Sequence, residues 1–578
     1  MIRQQKNRVT ASNWRRKFVL GVLMLGMTGL VFRAGWLQIK QDPRLINKLS
    51  IQHLETVKQS VARGRIFDRR GEILASSAPI RSIGVDRKIF NSNKQSLELL
   101  GKAIKMPVAR LRKAIDKKTS ARYLSIKRRV APSEAREVAK LGLKGVVIDR
   151  HYDRFYPGGE ASAHLVGFVG RNGHGQEGVE QVFDQQLYST PGSYSVLRDR
   201  KRHKLEAIRQ LHKPENGDDI VLSIDQRLQY IAYKELKSAL IRHQAKAASF
   251  VMLDIHTGEI LAMVNLPEFN PNNRNDRNPA DYRNRVVTDL FEPGSTIKPF
   301  TIGCALQAGI IDPNTEIDTT PGYIKVGRNR VRDMHNYKLL DVSGVMRKSS
   351  NVGIAKIALE LEPKTLWDCY HRAKFDQKVS ADFPGLVAGH LPAYEGWGQF
   401  EQATHAFGYG INTSLLQLTH AYTAWGNQGA VPALSLLKRN QAAQYERVFT
   451  QQTAKQILQL MEAVVSADGT ASKAQISGYR VAGKTGTVQK ITEQGYSPDN
   501  HLGLFVGIVP VSNPRFVAAV LIDDPQQGDY FGGVVAAPVF SNVMKQALRI
   551  YAVPPDDAQT DNIVRLAYST VLDNVITE

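Results

Sequence analysis

One stretch breaks the otherwise mixed pattern of apolar and polar positions along this chain. Residues 18–32 (FVLGVLMLGMTGLVF) carry no charge, and residues 34–39 extend the run past Arg33. The span 18–39 is 22 residues long, enough for one bilayer crossing at about 20 residues per helix. Arg33 lies near its end, where a long side chain can reach headgroups, and Trp36 supplies an interfacial aromatic. Arg3, Lys6, Arg8, Arg15, Arg16 and Lys17 precede the run with no acidic residue among them. The pattern therefore predicts a single-pass anchor at 18–39, a cytoplasmic tail at 1–17, and everything after about residue 40 beyond the membrane. A cleaved signal peptide is the competing reading; against it stand the length of the run and the lack of an A-x-A-like site after it.

From 40 to 215, short strand-like runs (80–85 and 145–148) mix with charged helical stretches such as 133–141. Pro214-Glu-Asn-Gly-Asp-Asp219 is rich in turn formers and marks a domain boundary. A strand at 220–224 comes next, then a helical pattern over 226–245 and a hairpin of 248–254 and 259–264 about His256-Thr-Gly258. After a long, mostly helical middle, strands return at 479–491, 502–509 and 515–522. Strands early and late with helices between predict an α+β domain over 216–553, its antiparallel sheet closed by both ends of the segment. Residues 40–215 form a separate domain and 554–578 a polar tail, in keeping with a chain of 578 residues, too long for one core.

Hydrophobic residues at 42% and charged residues at 23% are ordinary for globular protein, but a net charge of +23 is not. In a cytosolic protein it would raise nucleic-acid binding; beside a membrane it suggests anionic lipid or polyanionic envelope polymers. The anchor selects the second setting, so no nucleic-acid partner is expected. The densest basic stretch, Arg198-Asp-Arg-Lys-Arg-His-Lys204, suits lipid headgroups or anionic glycan, or is a solvated loop. Cys304 and Cys369 are too few for a disulfide scaffold or a Cys-based zinc site. They could pair in an exported domain, although Cys304 sits in an apolar run where a buried thiol is ordinary. No metal-ligand spacing links the histidines, His405 and His420 read as structural, and no G-x-S-x-G elbow occurs. Neither a metal nor another cofactor is expected.

Three short segments carry the chemistry: Ser295-Thr-Ile-Lys298, Ser349-Ser-Asn351 and Lys484-Thr-Gly-Thr487, separated by 54 (349 − 295) and 135 (484 − 349) residues. The first reads as a turn opening a helix, which puts Ser295 and Lys298 on one face. The positive field at a helix N-terminus favours a neutral lysine, and a neutral lysine can take the serine proton. Alone this match is weak, arising about twice by chance in a chain this size. Ser349 offers a second hydroxyl for proton transfer and Asn351 an amide for substrate. The third segment is a strand in which Gly486 lets a peptide approach edge-on, while Lys484 with Thr485 or Thr487 can bind a carboxylate. Residues 478–485 also fit the phosphate-loop pattern G-x-x-x-x-G-K-[ST], but that loop must open a helix, and residues 486–490 read as strand.

Taken together, S-x-x-K, S-x-N and K-T-G are the motif set of penicillin-binding proteins and class A β-lactamases. The wider chain resembles class B penicillin-binding proteins, most closely their cell-division transpeptidases. The matching stretches include Arg63-Gly-Arg-Ile-Phe-Asp-Arg-Arg-Gly71, Gly178-Val-Glu180, Glu292-Pro-Gly-Ser295, Phe407-Gly-Tyr-Gly410 and Tyr530-Phe-Gly-Gly533. The resemblance implies a non-catalytic pedestal at 40–215 and a penicillin-binding transpeptidase domain at 216–553, acting on peptidoglycan stem peptides and inhibited by β-lactams. It implies Ser295 as nucleophile, Lys298 as its base, Ser349 and Asn351 in proton transfer and amide binding, and Lys484, Thr485, Gly486 and Thr487 at the carboxylate. The backbone N–H groups of Ser295 and Thr487 would hold the oxyanion. An inner-membrane site at the division septum and a glycan polymerase of the FtsW type as partner are further implications. A β-lactamase shares the motifs but not the anchored pedestal, a β-lactam receptor needs a cytoplasmic output module, and a silent scaffold would not need the intact set. Ser350 stands where β-lactamases usually carry aspartate, and Ala406 and Leu415 replace a serine and a proline expected of the division enzymes.

Overall fold

The structure, a computed structural model, describes residues 13–39, 54–116, 123–170, 172–198, 204–273, 278–379, 383–493 and 495–557. Arg3, Lys6, Arg8, residues 199–203 of the basic stretch and most of the polar tail lie outside them. The chain divides into two compact units, Met1–Val61 with Thr190–Glu215, and Ala62–Ser189 with Asn216–Glu578.

The first unit contains the helix Asn13–Ile39, long and apolar enough to cross a membrane. Its apolar side chains from Phe18 to Phe32 are exposed, and the Arg33 guanidinium lies 4.9 Å from the Trp36 ring centroid. The same unit holds a three-stranded antiparallel sheet in which Gly192–Arg198 pairs with both Leu54–Gln59 and Lys204–His212.

The second unit has two lobes. In the smaller, the strand Ile73–Asp86 pairs along residues 76–85 with Val146–Phe155, and at its far end with Tyr123–Val130. Ile83, Leu97, Leu100, Leu111 and Val138 form its own core beneath amphipathic helices Lys94–Ala103, Val108–Asp116 and Pro132–Lys140. The 80–85 run read from sequence is thus the back half of a 14-residue strand. Its front half, with Ser76, Ser77 and Pro79, lacks the apolar alternation that marks strands.

At the base of this lobe lies a buried ion network. Both Glu180 oxygens are taken, Oε2 by Arg63 Nε and Oε1 by Arg154 Nε, each at 2.6 Å. Arg63 also donates to Asp184 at 2.7 Å, and Arg154 Nη1 to the Gly64 carbonyl at 2.7 Å. Glu180 opens onto this cluster from the short helix Gly178–Val182, whose first residue has φ +60°. A Cβ there would stand 2.6 Å from the Leu165 carbonyl, so both backbone conformation and close approach require glycine.

The larger lobe is built on a five-stranded antiparallel sheet ordered Ile260–Leu266, Ala247–Asp254, Phe516–Asp523, Gly495–Val509, Ala482–Thr492. Both ends of the segment supply strands, as the sequence predicts. Every residue of Ala247–Asp254 and Ile260–Leu266 is buried, so both faces are covered. Helices Gln226–Arg242 and Ala537–Ile550 pack together on the sheet, and Leu415–Gly426, from the helical middle, also packs against it. Ala482–Thr492 is left at the edge, against the turn Gly294–Ile297.

Candidate active site

Ser295 lies in a 3-10 turn, Gly294–Ile297, that runs directly into the helix Lys298–Gln307, with Pro299 in its first turn. The turn is pinned from behind. Tyr422 donates its hydroxyl to the Thr296 carbonyl at 2.5 Å, and Thr301 Oγ1 donates to the Ala406 carbonyl at 2.7 Å. Ser295 remains half-buried while Lys298 is fully buried.

Ser349 closes the helix Val342–Lys348 in the left-handed region, at φ 56° and ψ 40°, and Ser350 immediately N-caps the next helix, Asn351–Leu359. This break turns Ser349 and Asn351 toward Lys298. Lys298 Nζ donates to the Ser349 carbonyl at 2.6 Å and to Asn351 Oδ1 at 2.7 Å, and Ser349 Oγ lies within hydrogen-bond reach of it at 3.2 Å. Lys484 Nζ reaches the same Ser349 Oγ at 3.0 Å. Two amines from distant segments therefore converge on one hydroxyl, and the hydrogen bonds of Lys298 go to Ser349 and Asn351 rather than to Ser295.

Burial sets the charge of this pair. Lys484 is pushed down to about 7 by burial alone. Lys298 is pushed well below the ordinary amine range, first by burial and then by the charge on Lys484, with Asp333 opposing. Burial, which the sequence does not show, is the first cause. Two buried ammoniums this close titrate as a coupled pair, so one proton is lost easily.

Along the edge strand, the Thr485 hydroxyl is buried against Thr470 Oγ1 at 2.9 Å. Thr487 is half-buried and its Oγ1 accepts from Gly532 N at 3.2 Å. Gly486 has a packing role that sequence did not reveal. A Cβ there would lie 3.0 Å from Thr296 Cγ2 and 3.3 Å from the Pro293 carbonyl, so the bare backbone lets the strand lie against the serine turn. Gly486→Val is expected to cost about 1–3 kcal/mol by overpacking, read as a lowered thermal midpoint; an unchanged midpoint would show that the turn gives way freely. Residues 482–492 are strand throughout, so the phosphate-loop pattern has no strand-to-helix turn behind it.

Two carboxylates of the site received no role from the sequence, although Glu292 stands in one of its matching stretches. Asp333 Oδ2 accepts from Ser350 Oγ at 2.5 Å, and its Oδ1 accepts from the N–H groups of Asn351 at 2.5 Å and Val352 at 3.0 Å. It comes directly after the strand Asn329–Arg332, in a different element from the motif it braces. The one available signal was Ser350, a hydroxyl where relatives of the fold place an acid. Glu292 is buried beneath the serine turn, its Oε1 accepting from Gly410 N at 2.7 Å and from the Tyr496 hydroxyl at 2.9 Å. Burial pushes its carboxyl up.

His405 and His420 are structural, bonded to the Tyr409 and Pro432 carbonyls, and burial lowers His420 to about 4. Cys304 and Cys369 are buried free thiols.

Comparison with known proteins matches residues 58–222 to the penicillin-binding protein dimerisation domain and residues 248–545 to the penicillin binding protein transpeptidase domain. A probable peptidoglycan D,D-transpeptidase PenA of Neisseria gonorrhoeae is 39% identical over 97% of both chains. The peptidoglycan D,D-transpeptidase FtsI of Escherichia coli K12 is 35% identical over 96% of this chain and 95% of its own. Among solved structures, penicillin binding protein 3 of Mycobacterium tuberculosis, complexed with aztreonam, is 27% identical with a TM-score of 0.68, covering 87% of this chain and 98% of its own. With both domains matched in sequence and architecture, the chain belongs to the class B penicillin-binding proteins.

Proposed function

We propose that the protein is a serine-type peptidoglycan D,D-transpeptidase. A stem peptide ending in D-Ala-D-Ala acylates Ser295 with release of D-alanine, and an amine of a neighbouring stem then resolves the ester as a crosslink. The observation that carries this reading is the convergence of two buried amines on the Ser349 hydroxyl beside the Ser295 turn. The names of the full-length relatives point the same way.

Lys298, held neutral, donates its two N–H groups to the Ser349 carbonyl and Asn351 Oδ1, and its lone pair takes the Ser295 proton as the hydroxyl oxygen attacks the carbonyl carbon. Ser349, hydrogen-bonded to both amines, relays a proton to the departing amine. Asn351 holds the substrate amide, and Lys484 with Thr487 receives the terminal carboxylate, Thr485 supporting from the buried side of the strand. The edge at Gly486 pairs with extended substrate. The N–H groups of Ser295 and Thr487 hold the oxyanion, a preorganised arrangement that supplies a large share of such catalysis. β-Lactams enter by the same acylation and remain attached.

The chain runs as a cytoplasmic tail (1–17), an inner-membrane anchor (18–39), a pedestal (40–215), a transpeptidase domain (216–553) and a polar tail (554–578). It works beyond the membrane at the division septum, on lipid-linked or nascent glycan strands supplied by a polymerase of the FtsW type. Mass spectrometry of the penicillin-treated, digested protein tests the assignment. A long-lived acyl adduct confined to Ser295 is expected; an adduct on another residue, or rapid hydrolysis of the penicillin, overturns it.

Asp333→Asn removes the charge behind Ser350 and Asn351, and acylation is expected to slow about 10- to 100-fold, the scale of one charge-assisted hydrogen bond. Because the Asp333 carboxylate raises the pKa of Lys298, the low-pH limb of the rate profile should move to lower pH. A rate loss without that displacement would make Asp333 a purely structural brace.

A further inference from the structure

We propose that a cavity in the smaller lobe binds the carboxylate end of a peptidoglycan stem peptide, apart from the Ser295 cleft. The cavity, of about 680 Å³, opens where Ile73–Asp86, Tyr123–Val130 and Val146–Phe155 meet. Ile80, Val130, Pro132 and Phe155 give it an apolar wall. Arg81, Arg129, Arg150 and Arg154 also line it, with Asp153 the one acid among the described residues. Among the described residues, four arginines less one aspartate leave +3, and Glu180 behind the wall, paired with Arg154 at 2.6 Å, reduces this to +2.

Two features of the lining favour an anion, although Arg129 and Arg150 are partly solvated, and a third aims a guanidinium at its rim. Arg81 and Arg150 stand directly opposite each other in the antiparallel register, and like charges so placed repel. No hydrogen bond or ion pair holds either side chain among the described residues. Second, the strand carrying Arg129 bulges: Arg128 and Arg129 together face Ser82, and Arg129 takes φ +55°, which side-chain-bearing residues rarely adopt. Bulges re-aim side chains. Here the Arg129 guanidinium pairs with Asp153 and donates to the Asn272 carbonyl at 3.3 Å, at the rim of the cavity. Third, Arg154 is 5% exposed, and its Nη2 is buried without an acceptor.

Guanidinium forks match the planar geometry of carboxylates, and the apolar wall asks for aliphatic groups beside them. The cavity has the size that takes a small molecule or a few peptide residues, whereas a folded partner needs a surface of about 800 Å². A stem peptide joins carboxylates to alanine methyls and suits both halves; this choice of ligand rests on the transpeptidase reading above. Stems repeat along a glycan strand, so holding one raises the effective concentration of its neighbours at Ser295.

The test uses the full-length protein in detergent, with Ser295 blocked by a penicillin. The probe is a fluorescein-labelled stem tetrapeptide lacking the terminal D-alanine, monitored by anisotropy. Saturable binding is expected to survive the block, to weaken about tenfold or more in the Arg81→Glu/Arg150→Glu variant, and to vanish when the probe's carboxylates are amidated. The variant should still be acylated by penicillin at the parent rate, which shows that it is folded. Binding abolished by the block or unchanged in the variant overturns the proposal, as does equal binding of an unrelated acidic peptide of the same length. Failure of penicillin to acylate the parent would instead overturn the transpeptidase reading, and the titration of unblocked protein would still report on the cavity.

Discussion

Replacing Lys298 with alanine is expected to slow acylation by penicillin about a thousandfold or more, the scale of losing a positioned general base. Lys298→Arg should be no better, because a guanidinium restores the charge but keeps its proton across the accessible pH range. The pH dependence supplies an independent arm. Lys298 acts as a base only when neutral, and burial together with the charge on Lys484 holds its pKa well below the ordinary amine range. The acylation rate therefore rises with pH as Lys298 loses its proton. It falls again as Lys484, lowered to about 7 by burial, loses the charge that receives the carboxylate. The result is a bell whose limbs belong to the coupled pair. Lys484→Arg should extend its high-pH side, since the cation then persists. A parent profile flat from about pH 5 to about pH 9, or a Lys298→Arg variant of parental rate, would remove Lys298 as the base.

Glu180→Gln is expected to lower the unfolding free energy by about 3–5 kcal/mol, the cost of leaving the buried Arg154 without its counter-charge while Arg63 keeps only Asp184. Arg63 and Arg154 are 7% and 2% exposed at the side chain and Glu180 is fully buried, so water cannot take over the role of the carboxylate. The contrast lies nearby. Arg65 and Asp219 are paired at 2.7 Å, yet are 54% and 39% exposed. Asp219→Asn should leave the denaturation midpoint near that of the parent, because exposed pairs are screened and entropically costly. Urea denaturation of both variants checks the pair; equal midpoints would mean that the Glu180 network relaxes or admits water.

Locally encoded features were legible in the sequence. The hairpin at 248–264, the three late strands and the helix after residue 226 each arise from hydrophobic period and turn residues within a short window. The motif residues were legible for the same reason, since Ser295 and Lys298 are neighbours on one turn. The meeting of Lys298, Ser349 and Lys484 was not, because an edge strand, a helix junction and a buried turn bring it about only in three dimensions. Asp333 carries no periodic or motif signal and acts on a turn 17 residues away (350 − 333). Arg63, Arg154 and Glu180 come from three separate elements, so their network is a product of packing. The depressed lysine was expected from the helix terminus, which is visible in sequence, whereas the completeness of burial, its first cause in the structure, is not.

The order of the five-stranded sheet also bears on when the protein becomes reactive. Asp254 faces Phe516 across adjacent strands, 262 residues later in the chain (516 − 254). At synthesis rates of about 5–20 residues per second, roughly 13–50 s separate the appearance of these two partners. Ser295, Lys298 and Ser349 are all made during that interval, before the strand that delivers Lys484 has a neighbour to pair with. A chain that stops short of Phe516 therefore has its nucleophile and also Lys484, whose strand pairs with Gly495–Val509. That hairpin joins Ala247–Asp254 only through Phe516–Asp523, so chemical competence arrives when this last strand closes the sheet.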